Sequence, residues 1–341
     1  MRAVEINKYG AARDVIEIRE NASKPTPNDD QLLVRVIASS VNPIDCAVRS
    51  GYGRELFKRQ DGPEFPIRLG RDISGRVEAV GKNVQHYKPG DEIWAATLSG
   101  ATADYAVVDT RDAAFKPRNL SFEQAAALPY VALTTWSALV DHVGLSPENT
   151  AGKRVIIPRG AGGVGCFAIQ LMKAWGAEVA TICSTRNVDL VKSLGADTVV
   201  DYKKTDFGEV LHDYDVAYDT SFDTEEKLLA TLKKNANASY VSIVTPKIHF
   251  VDEFGVKEGL ERADALFKSL VAEQRFFGRS YYWSFMQPNG HALATIAALV
   301  EDEKINPVID RVYSMDELVE AHEYCESKQA QGKIIVKISD A

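Results

Sequence analysis

Apolar and polar positions follow one rhythm before Leu120 and another after it. Up to about residue 125, apolar residues fall in short β-branched runs at 31–38, 75–80, 91–96 and 105–108, and residues 1–6 form a further strand-like run. Turn chemistry such as Lys88-Pro89-Gly90-Asp91 parts them. Short strands at this spacing predict a barrel or sandwich rather than a parallel sheet. From Ser121 the pattern changes. Ser121-Phe122-Glu123-Gln124 offers an N-cap and a nearby acid, and the apolar-small run 125–139 predicts a helix. From Arg154 strands and helices alternate, with strands at 154–158, 178–183, 198–200, 215–219 and 239–245 and helices at about 164–175 and 187–194. That alternation predicts a doubly wound parallel sheet with helices on both faces. A helix at 291–303 and a strand at 332–336 follow, and alternation alone leaves open which domain the last strand joins.

The densest chemical signal lies where the first alternating strand meets its helix. Arg154 to Pro158 leads into Gly160-Ala161-Gly162-Gly163-Val164-Gly165, followed at once by an amphipathic helical pattern. The order strand, Gly-x-Gly-x-x-Gly, helix is the context a dinucleotide clamp requires. Gly160 is expected to take the tight turn, Gly162 to admit a pyrophosphate close to the backbone, and Gly165 to let the helix approach the strand. The backbone of Gly160, Ala161, Gly162, Gly163 and Val164 is thereby read as cofactor-binding, with free N–H groups facing the anion.

The second strand decides between the two nicotinamide dinucleotides. An acid roughly 20 residues after the glycines would hold the adenine-ribose hydroxyls. Here the strand ends Ile182-Cys183-Ser184-Thr185-Arg186, which supplies hydroxyls and a guanidinium but no acid. A carboxylate repels a 2′-phosphate, whereas Ser184 and Arg186 bind one, so NADPH is expected over NADH.

Composition bounds the remaining classes. A chain of 341 residues exceeds one ordinary core, which predicts two domains. A net charge of −8 with scattered Lys and Arg argues against nucleic-acid binding. No run approaches the ~20 apolar residues that span a bilayer, and no basic, Ser-rich or apolar leader precedes the first strand. Cys46, Cys166, Cys183 and Cys325 form no CxxC pair, and the six histidines no HExxH, so neither a disulfide framework nor a metal site is expected.

The chain resembles the zinc-free quinone-oxidoreductase branch of the medium-chain dehydrogenase/reductases over nearly its whole length. The residues that carry the resemblance include Ser40-Val41-Asn42-Pro43-Ile44-Asp45, Leu69-Gly70-Arg71-Asp72-Ile73-Ser74-Gly75, Tyr87-Lys88-Pro89-Gly90-Asp91, Gly162-Gly163-Val164-Gly165 and Gly332-Lys333. Within that branch it is similar to the reticulon-interacting mitochondrial NADPH oxidoreductases, through Arg49-Ser50-Gly51-Tyr52-Gly53, Leu128-Pro129-Tyr130-Val131-Ala132-Leu133-Thr134 and Met172-Lys173-Ala174-Trp175. The resemblance implies an α/β chain with a GroES-like β-barrel domain, residues 1–125 and 305–341, and a Rossmann doubly wound domain, residues 126–304. It also implies a mitochondrial location, with the cytoplasm as the alternative, and a reticulon as protein partner. A homodimer is implied as well, formed near the aromatic cluster Phe276-Phe277 and Tyr281-Tyr282-Trp283-Ser284-Phe285.

Relatives with catalytic zinc place Cys where Asn42 stands and Gly-His-Glu where Gly70-Arg71-Asp72 stand, so the resemblance implies catalysis without metal. Asn42 is then a candidate donor to a quinone or enone oxygen, and Tyr52, between Gly51 and Gly53, a candidate proton source. Tyr52 sits one place earlier than the catalytic tyrosine of such relatives. Carried over position by position, Tyr202 lies along the adenosine phosphate, Asp219 meets the ribose, Val244 and Thr245 hold the carboxamide, and Thr134 and Lys333 face the cofactor. The expected function is NADPH-dependent hydride transfer to a quinone or another activated carbonyl or alkene. The alternatives are an enoyl-thioester reductase and an NADPH-binding scaffold or sensor with little turnover.

Overall fold

The computed structural model describes residues 1–57, 65–234 and 237–340. The chain forms two compact units, Met1–Leu133 with Pro288–Glu303 and Pro307–Ala341, and Thr134–Gln287 with Lys304–Asn306.

The first unit is organised by the strand Gln31–Val41, nearly all of it buried. Its length lets it serve three antiparallel neighbours. Tyr105–Asp109 pairs with its first half, Lys333–Lys337 with its last residues, and Asp72–Val80 with its other edge. Bulges at Leu33/Val34 and Val36/Ala38 take up the register difference and bend the strand. The sheet continues through Glu92–Ala96 to Ala113–Phe115 and, beyond Lys333–Lys337, to Ile309–Ser314 in parallel. A smaller sheet joins Glu17–Arg19, Ala3–Ile6 and Ile67–Arg68. Val34, Val36, Ile73, Ile93, Ile334 and Val336 fill the core between them.

The C-terminal strand therefore belongs to the first unit. The helix Gly290–Glu301 does too, whereas the resemblance implies the second domain for residues up to 304. Close packing is the reason: a Cβ on Gly290 would meet the carbonyl oxygen of Ala113 at 2.2 Å. Glu301 also accepts from the Arg118 guanidinium at 2.7 Å. The run 125–139 is realised as two helices, Phe122–Ala125 and Pro129–Trp136, continued by a wider turn over Ser137–His142. Pro129, with no N–H to give, opens the second helix rather than interrupting it.

Among its described residues the second unit holds six parallel strands: β1 (Arg154–Pro158), β2 (Glu178–Cys183), β3 (Thr198–Asp201), β4 (Val216–Asp219), β5 (Ser239–Ser242) and β6 (Ser280–Trp283). Their spatial order is β3-β2-β1-β4-β5-β6, the doubly wound arrangement whose order reverses beside β1. β1 and β2 match the predicted limits, because strands buried on both faces read as continuous apolar runs. β6 comes from the aromatic cluster, in which Tyr281 stacks on Tyr240 of β5 with ring centroids 4.9 Å apart. The long helix Val256–Phe276 leads to it, and Phe276 at that helix's end stands 84% exposed. No helix among the described residues is long and apolar enough to cross a membrane.

Candidate active site

In the first unit, strand register brings distant polar residues together. Ile334 pairs with Val41, so Lys333 falls beside Asn42, and Ala38 pairs with Ser74, so Asp72 falls beside Ser40. The helix Pro43–Arg49 begins on Asn42, and Asp45 in its first turn accepts the Asn42 backbone N–H at 2.9 Å.

The result is a closed network. Asp72 accepts from the Tyr130 backbone N–H at 2.7 Å on one oxygen. Its other oxygen accepts from the Ser40 hydroxyl, from Asn42 Nδ2 at 2.9 Å and from Lys333 Nζ at 3.2 Å. Asp45 accepts from Arg71 Nε at 3.1 Å and from Asn42 Nδ2 at 3.2 Å. Lys333 also donates to Asn42 Oδ1 at 2.5 Å. Asn42, Asp45, Arg71, Asp72 and Lys333 are each no more than 7% exposed, so bulk water cannot screen these charges and they must balance internally. Two carboxylates face two cations, and the amide bridges them.

This arrangement forces the orientation of Asn42, whose oxygen faces the ammonium and whose NH₂ faces the carboxylates. The structure thus brings the predicted residues Asn42 and Lys333 together, with each turned toward this network. Burial pushes the Asp45 carboxyl up from its ordinary range, and the Arg71 guanidinium and the Asn42 N–H groups oppose that shift. The Arg71 guanidinium lies 5.6 Å from the centre of the Tyr130 ring. Burial pushes the Tyr130 hydroxyl up to about 12, so it stays protonated through the physiological range, and Tyr52 is among the groups that act on it. Tyr52 itself lies in the turn where Gly51 (φ 103°) and Gly53 (φ 77°) take left-handed backbone conformations.

Sequence reasoning singled out neither Ser40 nor Tyr130 for the site, and it considered Arg71 and Asp72 only as poor stand-ins for metal ligands. Their signal was present in Leu69-Gly70-Arg71-Asp72 and Leu128-Pro129-Tyr130, but nothing in either segment says that they meet. Among the described residues, no group of three His, Cys, Asp or Glu side chains is placed to hold a metal ion.

In the second unit, each glycine of the clamp has a different reason. Gly160 lies in the tight turn closed by the Gly162 N–H on the Arg159 carbonyl oxygen at 2.9 Å, and the left-handed residue of that turn is Arg159, at φ 54°. Gly160 is required by the neighbouring strand, because a Cβ there would lie 2.1 Å from Thr181 Oγ1. A Cβ on Gly165 would meet the Arg159 carbonyl oxygen at 2.5 Å and Gly160 Cα at 2.6 Å, which is the predicted close approach of helix and strand. At Gly162 the nearest atom is the Arg159 carbonyl oxygen at 3.4 Å, an ordinary contact. No packing inside the protein demands glycine there. Gly162 caps the helix Gly163–Ala174, whose first-turn N–H groups have no partner one turn earlier. Ala161 is buried, whereas Gly163 and Val164 are half-buried.

Ser184 follows β2 and is buried, and Arg186 lies exposed in the turn Thr185–Asn187. An acid does stand nearby, but on the next strand: Asp201 at the end of β3 accepts from the Thr185 hydroxyl at 2.6 Å and the Lys203 N–H at 3.1 Å. Lys204 lies 3.5 Å from the same carboxylate. Spacing from the glycines pointed only to β2 and missed this residue. Tyr202 is 59% exposed, the state of a ring available to lie along a ligand. Asp219 is engaged internally, accepting from the Ser221 N–H at 2.9 Å, the Thr224 hydroxyl at 2.9 Å and the Tyr240 hydroxyl at 2.6 Å. After β5, Val244 exchanges hydrogen bonds with the Ser242 hydroxyl, and Thr245 Oγ1 is buried without a hydrogen-bond partner. Thr134 is buried on the helix Pro129–Trp136.

Two family models match the chain, an alcohol dehydrogenase GroES-like domain over residues 28–118 and a zinc-binding dehydrogenase over residues 194–336. The mitochondrial NAD(P)H oxidoreductase RTN4IP1 of Danio rerio is 38% identical over 358 residues, covering 100% of this chain and 92% of that protein. The 2-methylene-furan-3-one reductase of Solanum lycopersicum is 32% identical over 351 residues, covering 98% and 79%. Among solved structures, the quinone oxidoreductase from Coxiella burnetii superposes with a TM-score of 0.82 at 29% identity, covering 99% of each chain.

Proposed function

The chain belongs to the medium-chain dehydrogenase/reductase superfamily, and from that premise we propose that it is an NADPH-dependent oxidoreductase that reduces a quinone or another activated carbonyl or alkene without zinc. The observation that carries this reading is the closed network of the first unit. Catalytic zinc in proteins is held by Cys, His and carboxylate donors. Here the donors are an amide and two carboxylates already neutralised by Arg71 and Lys333. That set does not suit a zinc ion.

Bound NADPH supplies the hydride. Gly162 supports such a cofactor, since its lack of a side chain has no internal reason and leaves the backbone open to a pyrophosphate. Ser184 and Arg186 would hold the 2′-phosphate, with Tyr202 beside the adenosine. Thr245, with its unpartnered hydroxyl, and Thr134 would contact the nicotinamide end. Asn42 acts here as a hub: it keeps Lys333 and both carboxylates in place, which fixes the Arg71 cation near the Tyr130 ring. Tyr130 and Tyr52 are then the phenols able to give a proton to the reduced acceptor. The acceptor class is supported by two similar proteins whose names are those of a furanone reductase and a quinone oxidoreductase. The mitochondrion, named for the zebrafish relative, is the location proposed.

Steady-state oxidation of NADPH and NADH across a panel of quinones and α,β-unsaturated ketones tests the reading, with and without a chelator. Turnover that survives chelation and prefers NADPH is expected. Equal efficiency with both nucleotides would sink the 2′-phosphate assignment, and loss on chelation would restore a metal. NADPH binding with no acceptor turned over would favour the scaffold. Tyr52→Phe and Tyr130→Phe separate the phenols: the one whose loss leaves the rate unchanged drops out of the mechanism.

A further inference from the structure

β2 and β3 end side by side. β2 runs into Ser184-Thr185-Arg186, and β3 into Tyr202-Lys203-Lys204. Both leave the sheet at one level, because Cys183 and Asp201 are register partners in the parallel pair. The Tyr202 N–H still reaches across to the Cys183 carbonyl oxygen, at 3.1 Å. Past that point each backbone turns on itself. The Asn187 N–H bonds the Ser184 carbonyl oxygen at 2.9 Å, and the Lys204 and Thr205 N–H groups bond that of Asp201 at 2.9 and 3.0 Å.

One carboxylate joins the two segments. Asp201 Oδ2 accepts from the Thr185 hydroxyl at 2.6 Å, across the gap between them. Its other oxygen accepts from the Lys203 N–H at 3.1 Å, within its own turn, and the Lys204 ammonium stands 3.5 Å from Oδ2. The Asp201 side chain is thereby only 11% exposed, while Thr185, Arg186, Tyr202 and Lys203 stand exposed around it. The Thr185 hydroxyl, followed by the Lys203 N–H and Lys204, holds the carboxyl below its ordinary range, so it is charged at neutral pH. Three cations, Arg186, Lys203 and Lys204, accompany this one acid in the two segments. The surroundings therefore stay favourable to an anion despite the carboxylate.

We infer, on the reading that NADPH is the cofactor, that Asp201 is a positioning residue for its selection. It ties Thr185 to the turn after β3 and so holds Ser184 and Arg186 in register with Tyr202 around the 2′-phosphate. Two other roles are open to an acid at the end of a strand in such a sheet. One that accepted the ribose hydroxyls would favour NADH, and one that faced the phosphate would repel it. The three roles differ in the sign of what its removal does.

Calorimetric titration of the full chain with adenosine 2′,5′-bisphosphate and with adenosine 5′-monophosphate reads the subsite without turnover. Asp201→Ala is expected to weaken the bisphosphate about tenfold and to leave the monophosphate within about twofold, a selectivity that a general loss of structure would not produce. Asp201→Asn keeps one acceptor oxygen and should fall between Asp201→Ala and wild type. Thr185→Val removes the hydroxyl at nearly constant size and should reproduce the Asp201→Ala effect. It also decides the matter should Asp201→Ala fail to fold, because Thr185 is exposed. The double variant should bind no more weakly than either single one, since one hydrogen bond is lost only once. Tighter bisphosphate binding in Asp201→Ala and Asp201→Asn would make the acid a repeller and overturn the inference. So would equal weakening of both ligands, or losses that add in the double variant. Failure of the NADPH reading looks different: wild type would then bind both ligands equally, and the inference would fall with it.

Discussion

Replacing Lys333 with methionine keeps the length of the side chain but removes one of two cations from a buried network that holds two carboxylates. Lys333 Nζ lies 3.2 Å from Asp72, and the two residues are 5% and 0% exposed. At that separation and an effective dielectric of ~20, the direct attraction is about 5 kcal/mol. Breaking a buried pair by removing one partner commonly costs ~3–5 kcal/mol, because the other charge stays buried and uncompensated. Hydrogen exchange read by mass spectrometry localises the effect. Where exchange tracks the opening equilibrium, peptides covering Gln31–Val41 and Lys333–Lys337 should exchange roughly 10²- to 10³-fold faster in Lys333→Met. Peptides of the β1–β6 sheet should be far less affected. Adding Asp72→Asn removes the stranded charge while its remaining oxygen can still accept the Tyr130 N–H, so the double variant should recover most of the loss. Protection within threefold of wild type in the single variant would refute the electrostatic account. A double variant no better than the single would assign the loss to packing instead.

Gly162→Ala should leave the melting temperature within a degree or two and weaken NADPH binding tenfold or more by calorimetry, whereas Gly165→Ala, which clashes with backbone at 2.5 Å, should destabilise the fold by ~1–3 kcal/mol. If Gly162→Ala binds NADPH like wild type, no phosphate approaches that Cα. Arg186→Ala should raise the KM for NADPH at least tenfold and leave NADH unchanged, and an equal effect on both would exclude a 2′-phosphate contact. His322 is 1% exposed, and burial holds its imidazole near pKa 3, below the ordinary value of 6.5. Between those values the unfolded chain binds a proton that the folded one excludes. This stability is therefore present above pH 6.5 and lost as pH falls toward 3, at about 1.4 kcal/mol per pH unit. His322→Gln should flatten the pH dependence of the unfolding midpoint over pH 4–6 by about one proton, and an unchanged slope would contradict the assignment.

Sequence patterns carried the second unit further than the first. Residues 154–158 and 178–183 read as strands because both faces are buried and the apolar run is unbroken. The clamp was legible because its glycines are adjacent in the chain. β6 was not: Ser280–Trp283 is four residues long, follows a helix at once and offers aromatic bulk where an alternating pattern was sought. In the first unit Asn42 and Lys333 were each marked, yet their contact spans 291 residues and depends on strand register, which no local pattern encodes. The same holds for Arg71 and Tyr130, whose role as neighbours of Asp45 and Asp72 exists only once the sheet has closed. The turn at Arg159 was hidden for another reason, since a non-glycine residue in the left-handed region has no compositional signature.

Lys333 follows Asp72 by 261 residues, and the whole of Thr134–Gln287 is made between them. At ~5–20 residues per second, a ribosome would hold the first unit without its closing strand for roughly 13–50 s. During that interval Val41 lacks the neighbour that will pair with it, and Asp72 lacks its ammonium. The intervening unit has every strand of its sheet in one unbroken stretch and can fold first. Birth order in this chain thus runs opposite to sequence order: the half with the parallel sheet matures while the half begun earlier waits, open-edged, for its last strand.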